Sequence, residues 1–408
     1  MDIQDAMASI PPLANPYTPG QVPRILAGRR VELGRIRDQV SRVATYGELG
    51  GPLLVFHAPR GIGKTSLLRA AQRETAELGF VSVWVSCVRG TPFLPELVAG
   101  TTRSLEKADA VPPGATGARW RTRLDRIGLE LGVPGVRISA DLHTPAPPAP
   151  LAAPVTALED LLHEAASLVR SRGGAGLLVL VDELHAASRE ELSLLLNALQ
   201  NLDGAREDNP LAVVSAGLPV TPEAITRAAT FGERSAFVAL DVLSPADARS
   251  ALTAPADALG VGWTSSALEA VVEESGGYPY FLQLLGSAAW SAGAPAVGDR
   301  IAMADVRAAI PAAAGQVNAM YRARWGSATP TEQAFLVAMA RALGDRPEQH
   351  GGNVTRAQIA ADLGQDTRSI SVPRERLIDK GVIEPVGHGL VRFTLPGFAA
   401  YVRSRVEG

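Results

Sequence analysis

The sequence contains a single cysteine, Cys87, among 408 residues. One thiol cannot close a disulfide within the chain, and no group of cysteines and histidines has the spacing of a zinc site. Cys87 ends an alternating, strand-like pattern over residues 80–87, which favours a packing role for it. The scarcity of cysteine predicts a protein of the reducing cytoplasm.

Long apolar runs and an excess of charge are also missing. No apolar stretch approaches the roughly 18 residues that cross a bilayer, and the amino terminus lacks a basic start followed by an apolar stretch. Neither a membrane span nor a secretion signal is therefore expected. The formal net charge of −3 excludes a uniformly basic nucleic-acid-binding chain. With 46% hydrophobic residues, this length predicts two or three domains.

A phosphate-binding loop is the strongest motif in the chain. An apolar strand pattern over residues 53–56 leads into a loop that ends in Gly63-Lys64-Thr65, and a helix pattern follows. Backbone N–H groups of such a loop can wrap around a triphosphate, Lys64 can reach the β and γ phosphates, and the Thr65 hydroxyl can ligate Mg²⁺. The predicted nucleotide contacts in this segment are Pro59, Arg60, Gly61, Ile62, Gly63, Lys64, Thr65 and Ser66.

A second apolar strand ends in two acids. Residues 177–181 are all apolar and are followed by Asp182 and Glu183. Continuous apolarity is typical of a central parallel strand covered on both faces, and ligands bind at the carboxyl ends of such strands. We therefore expect Asp182 to hold Mg²⁺ and Glu183 to orient and polarise the attacking water. The alternative is that the two acids merely begin a loop.

Strands alternate with helices over residues 26–240, which predicts an α/β domain with a parallel sheet and right-handed crossovers. The proline-rich residues 1–25 are expected to be extended. A long interruption at about 110–155 is expected to be a functional appendage, with a helix packed on the surface through Trp120 as the alternative. Its arginines are Arg119, Arg121, Arg123 and Arg126.

After residue 240 the pattern becomes helical. The sequence Ser-Pro-Ala-Asp from residue 244 is a typical helix start, and residues 241–325 are expected to form a small helical lid. Its predicted helices lie near 244–259, 264–275 and 279–291. Residues 326–408 contain three further predicted helices, the last at about 372–380, and then two short strands around a glycine-containing turn. That order is typical of a winged helix-turn-helix.

With these segments in this order, the chain resembles the AAA+ ATPases from about residue 22 to its end. The archaeal-type ATPases and the replication-initiator clade are the most similar in arrangement, and the STAND signalling ATPases are nearby. The resemblance implies an α/β AAA+ P-loop fold with a parallel sheet, a helical lid and a carboxyl-terminal winged helix-turn-helix. It also implies ATP or ADP with Mg²⁺ as cofactors and ATP hydrolysis as the reaction.

The resemblance implies further site residues. Gly28 and Arg29 match the box that lies near the adenine, although a surface turn before a helix is the alternative for them. Pro279 belongs to a stretch similar to the Gly-x-Pro lid motif of archaeal-type and STAND ATPases. Arg234 fits the position of a finger arginine that acts on a neighbouring subunit, and a solvated arginine is the alternative.

Two departures from the family pattern favour a slow switch over a motor. The predicted fourth strand, residues 211–217, has Ser215 as its candidate for contacting the γ-phosphate but no asparagine or arginine at its end. The lid stretch has no arginine facing that phosphate. We therefore expect slow ATP turnover by the lone chain.

The winged-helix segment carries basic residues that are candidates for contacts with duplex DNA. Acidic residues nearly balance them, so a protein-docking module is the alternative. In the initiator clade an insertion in the ATPase domain also contacts DNA, which the arginines near residue 120 would allow. The predicted DNA contacts are Arg368, Arg374, Arg376, Lys380 and Arg392.

These features together predict a nucleotide-controlled DNA-binding assembly factor or switch, forming a homo-oligomer when ATP is bound. The chief alternative is a STAND-like regulator whose winged helix holds the core in its ADP-bound state until a protein partner binds. A third interpretation is a module that binds nucleotide without turnover. No role in the site is assigned to His57, His185 or His388, and His185 is interpreted as a packing or hydrogen-bonding residue.

Overall fold

The computed structural model describes residues 13–114, 117–118, 120–122, 154–344, 352–387 and 389–407. The chain folds as two compact units. The first, here called the sheet unit, contains Arg30–Ala58 and Lys64–Leu240. The second, here called the helical unit, contains Met1–Arg29, Pro59–Gly63 and Asp241–Gly408.

The sheet unit is built on five strands. They are β1 (Leu54–His57), β2 (Phe80–Ser86), β3 (Gly176–Asp182), β4 (Leu211–Gly217) and β5 (Ala236–Ala239). Their spatial order is β2-β3-β4-β1-β5, and every neighbouring pair is parallel. All residues of β3 and β4 are buried, which is the physical reason for their unbroken apolar sequences. The expected α/β fold with a parallel sheet is confirmed.

The described residues among 114–122 are helical, and six further α-helices accompany this sheet in the described part of the unit. They are α1 (Arg30–Tyr46), α2 (Lys64–Glu77), α3 (Leu94–Lys107), α4 (Pro154–Ser171), α5 (Arg189–Gly204) and α6 (Thr221–Ala228). Helix α4 shows why they pack: Leu158, Leu161, Leu162 and Ala165 recur at intervals of three and four residues, and all are buried. This spacing gives the helix one apolar face against the sheet.

The predicted interruption at about 110–155 is described only in part. Arg119, Arg123 and Arg126 lie outside the described residues. Trp120 is buried in the core of the sheet unit, and Arg121 forms an ion pair of 3.1 Å with Glu106. The described part of this segment therefore packs on the domain through Trp120.

The helical unit begins after β5 with four helices and a pair of very short strands. They are α7 (Pro245–Asp257), β6 (Gly262–Trp263), α8 (Ser265–Ser275), α9 (Pro279–Gly293), β7 (Arg300–Ile301) and α10 (Met303–Gly326). Ser244 caps α7, and its hydroxyl accepts a hydrogen bond from the backbone N–H of Asp247. Helix α10 is absent from the sequence prediction, and it contains Pro311 in its interior, where proline normally indicates a helix end.

Four helices and three strands complete the chain. They are α11 (Pro330–Leu343), β8 (Val354–Thr355), α12 (Arg356–Asp362), α13 (Ser371–Asp379), β9 (Ile383–Pro385), β10 (Leu390–Phe393) and α14 (Phe398–Glu407). The strands form an antiparallel sheet in the order β8-β10-β9. Thr329 and Thr355 each form a capping box at the start of a helix. The interpretation of this region as a winged helix-turn-helix, and the boundaries of 241–325 and 326–408, stay predictions.

Residues 13–21 have no regular secondary structure but are packed onto the helical unit. The Tyr17 hydroxyl donates a 2.5 Å hydrogen bond to the carbonyl oxygen of Leu252 and accepts one of 2.9 Å from the indole N–H of Trp263. Asn15 donates to the carbonyl oxygen of Ser287. The residues described in the structure include no helix with the length and apolarity needed to cross a bilayer.

Candidate nucleotide-binding site

The clearest local arrangement joins the start of α2 to the end of β3. The Thr65 hydroxyl donates a hydrogen bond of 2.7 Å to Oδ2 of Asp182. Asp182 is buried, and this burial raises the pKa of its carboxyl group, while the hydrogen bond from Thr65 acts in the opposite direction. Two oxygen donors predicted to bind one metal ion are therefore already adjacent.

Lys64 is also buried at this end of the sheet. Its ammonium group donates a hydrogen bond of 3.0 Å to the carbonyl oxygen of Ala58, which ends the segment entering the phosphate loop. Gly61 and Gly63 have φ values of 85° and 94°, a conformation that residues with a side chain rarely adopt. Such backbone turns can direct successive N–H groups toward an anion.

Glu183 follows Asp182 in a left-handed backbone conformation, with φ 54°. Its N–H donates to Oδ1 of Asp182 at 2.9 Å, and its side chain is 32% exposed. Oε2 of Glu183 lies 3.7 Å from Nε2 of His185, whose ring is almost fully buried. Sequence reasoning gave His185 no role in the site. Its position two residues after Glu183 could have indicated the contact, because one short turn places the two side chains next to each other.

Ser215, the sequence candidate for contacting the γ-phosphate, lies within β4 rather than after its end. Its side chain is fully buried, and the hydroxyl donates a 3.4 Å hydrogen bond to the carbonyl oxygen of Leu54 in β1. The hydroxyl thus links two neighbouring strands by a hydrogen bond in this structure.

Other predicted nucleotide contacts belong to the helical unit. Arg29 is buried, and its guanidinium donates hydrogen bonds to the carbonyl oxygens of Ile62, at 3.0 Å, and Asp241, at 2.7 Å. Gly28 has φ 70°, and a Cβ added to it would lie 2.6 Å from Cβ of Asp247. A side chain at this position would therefore clash with Asp247, and the positive φ itself favours glycine.

Tyr278 and Pro279 lie at the start of α9. The Tyr278 hydroxyl donates to the carbonyl oxygen of Arg60, and its ring covers Gly61, where an added Cβ would lie 2.5 Å from the hydroxyl oxygen. The Arg60 guanidinium in turn donates a 3.1 Å hydrogen bond to the carbonyl oxygen of Lys380. Residues of the phosphate loop therefore contact both α9 and the end of α13.

Comparison with known protein families finds two matching segments. Residues 25–214 match the family model described as the AAA ATPase domain. Residues 318–402 match a second family model, described as a domain of unknown function, DUF8462. No curated protein matches the chain in sequence.

Solved structures share the fold of this chain. The ORC2 protein of Aeropyrum pernix in its ADPNP–ADP complexes is similar, with a TM-score of 0.55, 15% identity, and coverage of 95% of this chain and 97% of that one. The Walker-type ATPase of Pyrococcus abyssi has a TM-score of 0.54 and 15% identity, with 93% and 96% covered. At this level of identity the likeness establishes the fold.

Arg234 lies at the opposite end of the parallel sheet from Thr65 and Asp182. It ends a short turn just before β5, and the first residue of β5, Ala236, pairs with Leu54 at the start of β1. The exposed Arg234 guanidinium donates to Oε1 of Gln200 at 3.2 Å. The strands of a parallel sheet all start at one end of the sheet and finish at the other, so Arg234 lies at the end opposite to Asp182 of its own chain.

The five predicted DNA contacts differ in their surroundings. Lys380 forms a 2.6 Å ion pair with the buried Glu332, and Arg392 pairs with Glu384 and lies 3.7 Å from Asp241. Arg374 is partly buried, whereas Arg368 and Arg376 are exposed. Two of the five positive charges are thus balanced by acids of the same unit.

Proposed function

We propose that this chain is a Mg²⁺-dependent ATPase that works as a slow, nucleotide-controlled switch. The contact between Thr65 and Asp182 carries the proposal, because it brings the loop and the acidic strand together at one end of the sheet. Lys64 and Glu183 lie in the same local arrangement. The AAA ATPase domain match over residues 25–214 supports the assignment.

Each residue has a distinct task in this proposal. Lys64 exchanges the carbonyl oxygen of Ala58 for the β and γ phosphates, and the loop N–H groups bind the remaining phosphate oxygens. Glu183 orients a water molecule and accepts its proton as the water oxygen attacks the γ phosphorus. The bond between that phosphorus and the bridging oxygen breaks, and ADP and phosphate are the products.

The oxygen donors of Thr65 and Asp182 fit Mg²⁺. This ion prefers oxygen ligands and usually takes one or two from the protein, with phosphates and water supplying the others. When bound, Mg²⁺ would neutralise negative charge on the phosphates. The buried Asp182 carboxylate would also gain a compensating cation, which offsets the cost of its desolvation.

Two observations support slow turnover. Ser215 is the only polar residue of β4 that is a candidate for contacting the γ-phosphate, and its hydroxyl is bonded to Leu54 instead. Arg234 lies at the end of the parallel sheet opposite to Thr65 and Asp182. A neighbouring subunit could supply its own Arg234 to this site, which is why we propose a homo-oligomer in the ATP-bound form. Single-turnover hydrolysis of labelled ATP tests the proposal. If ATP binds but no ADP forms, the chain is a nucleotide-binding module without turnover.

We further propose that the carboxyl-terminal region regulates the loop as a docking module. The hydrogen bond from Arg60 to Lys380 supports this, because it ties a loop residue directly to the end of α13. The ion pairs of Lys380 and Arg392 favour the same function, since their charges are balanced within the unit. Arg60→Ala should then accelerate nucleotide exchange, and Arg24→Ala is a control arginine. Equal exchange rates in both variants would count against regulation through Arg60.

Binding of duplex DNA is the second candidate for the output of the switch. Two exposed arginines favour this function. Arg368 precedes α13, and Arg376 lies on it. With two phosphate contacts, log K should fall with log salt at a slope of about −1.8 per subunit. The double change Arg368→Ala/Arg376→Ala should remove that dependence. Absence of binding at low salt with ATP, with ADP and without nucleotide would leave docking as the function of this region.

A further inference from the structure

His185 connects Glu183 to the residue that follows β4. Its Nδ1 accepts a hydrogen bond of 3.3 Å from the backbone N–H of Leu218. Because a backbone N–H can only donate, Nδ1 carries no proton, and the proton of the neutral ring is on Nε2. Nε2 lies 3.7 Å from Oε2 of Glu183. The ring therefore has its N–H group on the side of the carboxylate.

The two side chains differ in how firmly they are held. The side chain of His185 is 6% exposed, whereas that of Glu183 is 32% exposed. Leu218, the partner of His185, is fully buried. The turn that joins Glu183 to His185 is closed by a 2.8 Å hydrogen bond from the N–H of Ala186 to the carbonyl oxygen of Glu183. A buried imidazole thus lies beside a carboxylate that is partly open to solvent.

We propose that His185 is a positioning residue for Glu183 and couples the orientation of this carboxylate to the end of β4. The inference rests on the proposed function, because Glu183 must act on water for its orientation to matter. The present separation exceeds a normal N–H···O hydrogen bond by about 0.5–1 Å. A rotation of the Glu183 side chain closes that gap without moving the ring.

The hydrogen bond from Nε2 would have a defined effect on the reaction. It occupies one carboxylate oxygen of Glu183 and leaves the other facing the attacking water. The triphosphate is held by Lys64 and the loop, so removing the imidazole should lower kcat without changing the affinity for ATP.

Two substitutions of His185 separate its two hydrogen bonds. His185→Gln places an amide N–H near the position of Nε2, so it can still donate to Glu183. His185→Asn places a carbonyl oxygen near the position of Nδ1, so it can still accept from Leu218 but does not reach the carboxylate as a donor. His163→Ala is a matched control, because the His163 ring is hydrogen-bonded at 2.9 Å to Asn209, close to the other end of β4.

The experiment measures kcat and KM for ATP in the full chain, with thermal unfolding to verify that each variant folds. We expect His185→Ala and His185→Asn to lower kcat about tenfold to a hundredfold, the scale of one hydrogen bond to a charged group. His185→Gln should recover most of the rate, His163→Ala should retain it, and KM should stay unchanged throughout.

Three outcomes would overturn the inference. A wild-type kcat in His185→Ala, or better recovery by His185→Asn than by His185→Gln, would show that the ring serves only Leu218 and local packing. An increase in KM with unchanged kcat would place His185 in nucleotide binding. If the wild-type chain itself binds ATP without hydrolysing it, the proposed function fails and this inference fails with it. The first two results leave the proposed function intact.

Discussion

The hydroxyl of Thr65 donates a hydrogen bond of 2.7 Å to Oδ2 of Asp182. The hydroxyl oxygen retains lone pairs, so a divalent cation can bind both oxygens while the side chains stay close to their present positions. In the proposed function the pair therefore needs little rearrangement to bind Mg²⁺. This arrangement leads to the first of five predictions.

Thr65→Val should remove most of the stimulation of ATP binding by Mg²⁺, because the isosteric side chain has no oxygen to offer the metal. Thr65→Ser is the matched control and should retain that stimulation, since it keeps the hydroxyl. Titration of ATP into each variant with Mg²⁺ and with a chelator gives the comparison. Equal Mg²⁺ dependence in the valine and serine variants would exclude Thr65 as a metal ligand.

Lys64→Ala should weaken ATP binding about tenfold to a hundredfold, which corresponds to losing a charge-assisted contact of about 1.5–3 kcal/mol. Lys107→Ala changes an exposed lysine at the end of α3 and should bind ATP normally. Calorimetric titration of both variants provides the measurement. Unchanged affinity in the folded Lys64→Ala variant would remove the phosphate-loop assignment.

Glu183→Gln should bind ATP normally and stop turnover, because an amide cannot accept the proton of the attacking water. Asp182 remains able to hold the metal in this variant, so ATP should stay bound and unhydrolysed. Chromatographic analysis of the bound nucleotide after incubation distinguishes ATP from ADP. Hydrolysis at the wild-type rate would assign proton acceptance to another group.

Arg234 should act on the site of a neighbouring subunit, since it lies at the amino-terminal edge of its own sheet. ATPase activity per subunit should rise with protein concentration, and Arg234→Ala should abolish the rise. Arg227→Ala is a suitable control, because Arg227 is exposed nearby and pairs with Glu223 at 2.7 Å. A constant rate per subunit across the range where oligomers form would contradict a finger role.

Cys87 should be inert in the folded protein. Its burial, followed by the nearby Glu191, Asp182 and Glu183, raises the pKa of the thiol from 9.0 to about 12. At pH 8 the reactive thiolate is then about one molecule in ten thousand, instead of about one in ten. A chromogenic disulfide reagent should therefore react slowly before unfolding in guanidinium and rapidly after it. Rapid reaction in the folded state would show that this part of the sheet opens.

Local sequence patterns predict much of the fold because the interactions behind them are local. The apolar run before Asp182 is long enough to identify a covered parallel strand, and the serine and threonine caps identify helix starts at Ser244, Thr329 and Thr355. Helix α10 escaped prediction because Pro311 interrupts its pattern. Proline destabilises the interior of a helix, and the sequence of one segment does not show whether tertiary packing compensates for that cost.

The candidate site divides in the same way. Thr65 and Asp182 are predictable partners, because the loop and the acidic strand are expected to end at the same edge of a parallel sheet. The ion pairs of Lys380 with Glu332 and of Arg392 with Glu384 could not be predicted from the sequence, because they depend on how separate elements pack. His185 was interpreted as a packing or hydrogen-bonding residue, but its partner Leu218 could not be predicted, because Leu218 is distant in sequence and contributes only a backbone N–H.

Tyr17 shows that a boundary drawn from sequence similarity can differ from the boundary of the folded structure. The family match begins at residue 25, yet Tyr17 is bonded to Leu252, 235 positions later. Its ring also meets the edges of Trp263 and Trp290, with centroid distances of 6.3 Å and 6.2 Å. A chain shortened to the matched start would leave the indole N–H of Trp263 without this acceptor, so Tyr17 belongs to the core of a region encoded far downstream.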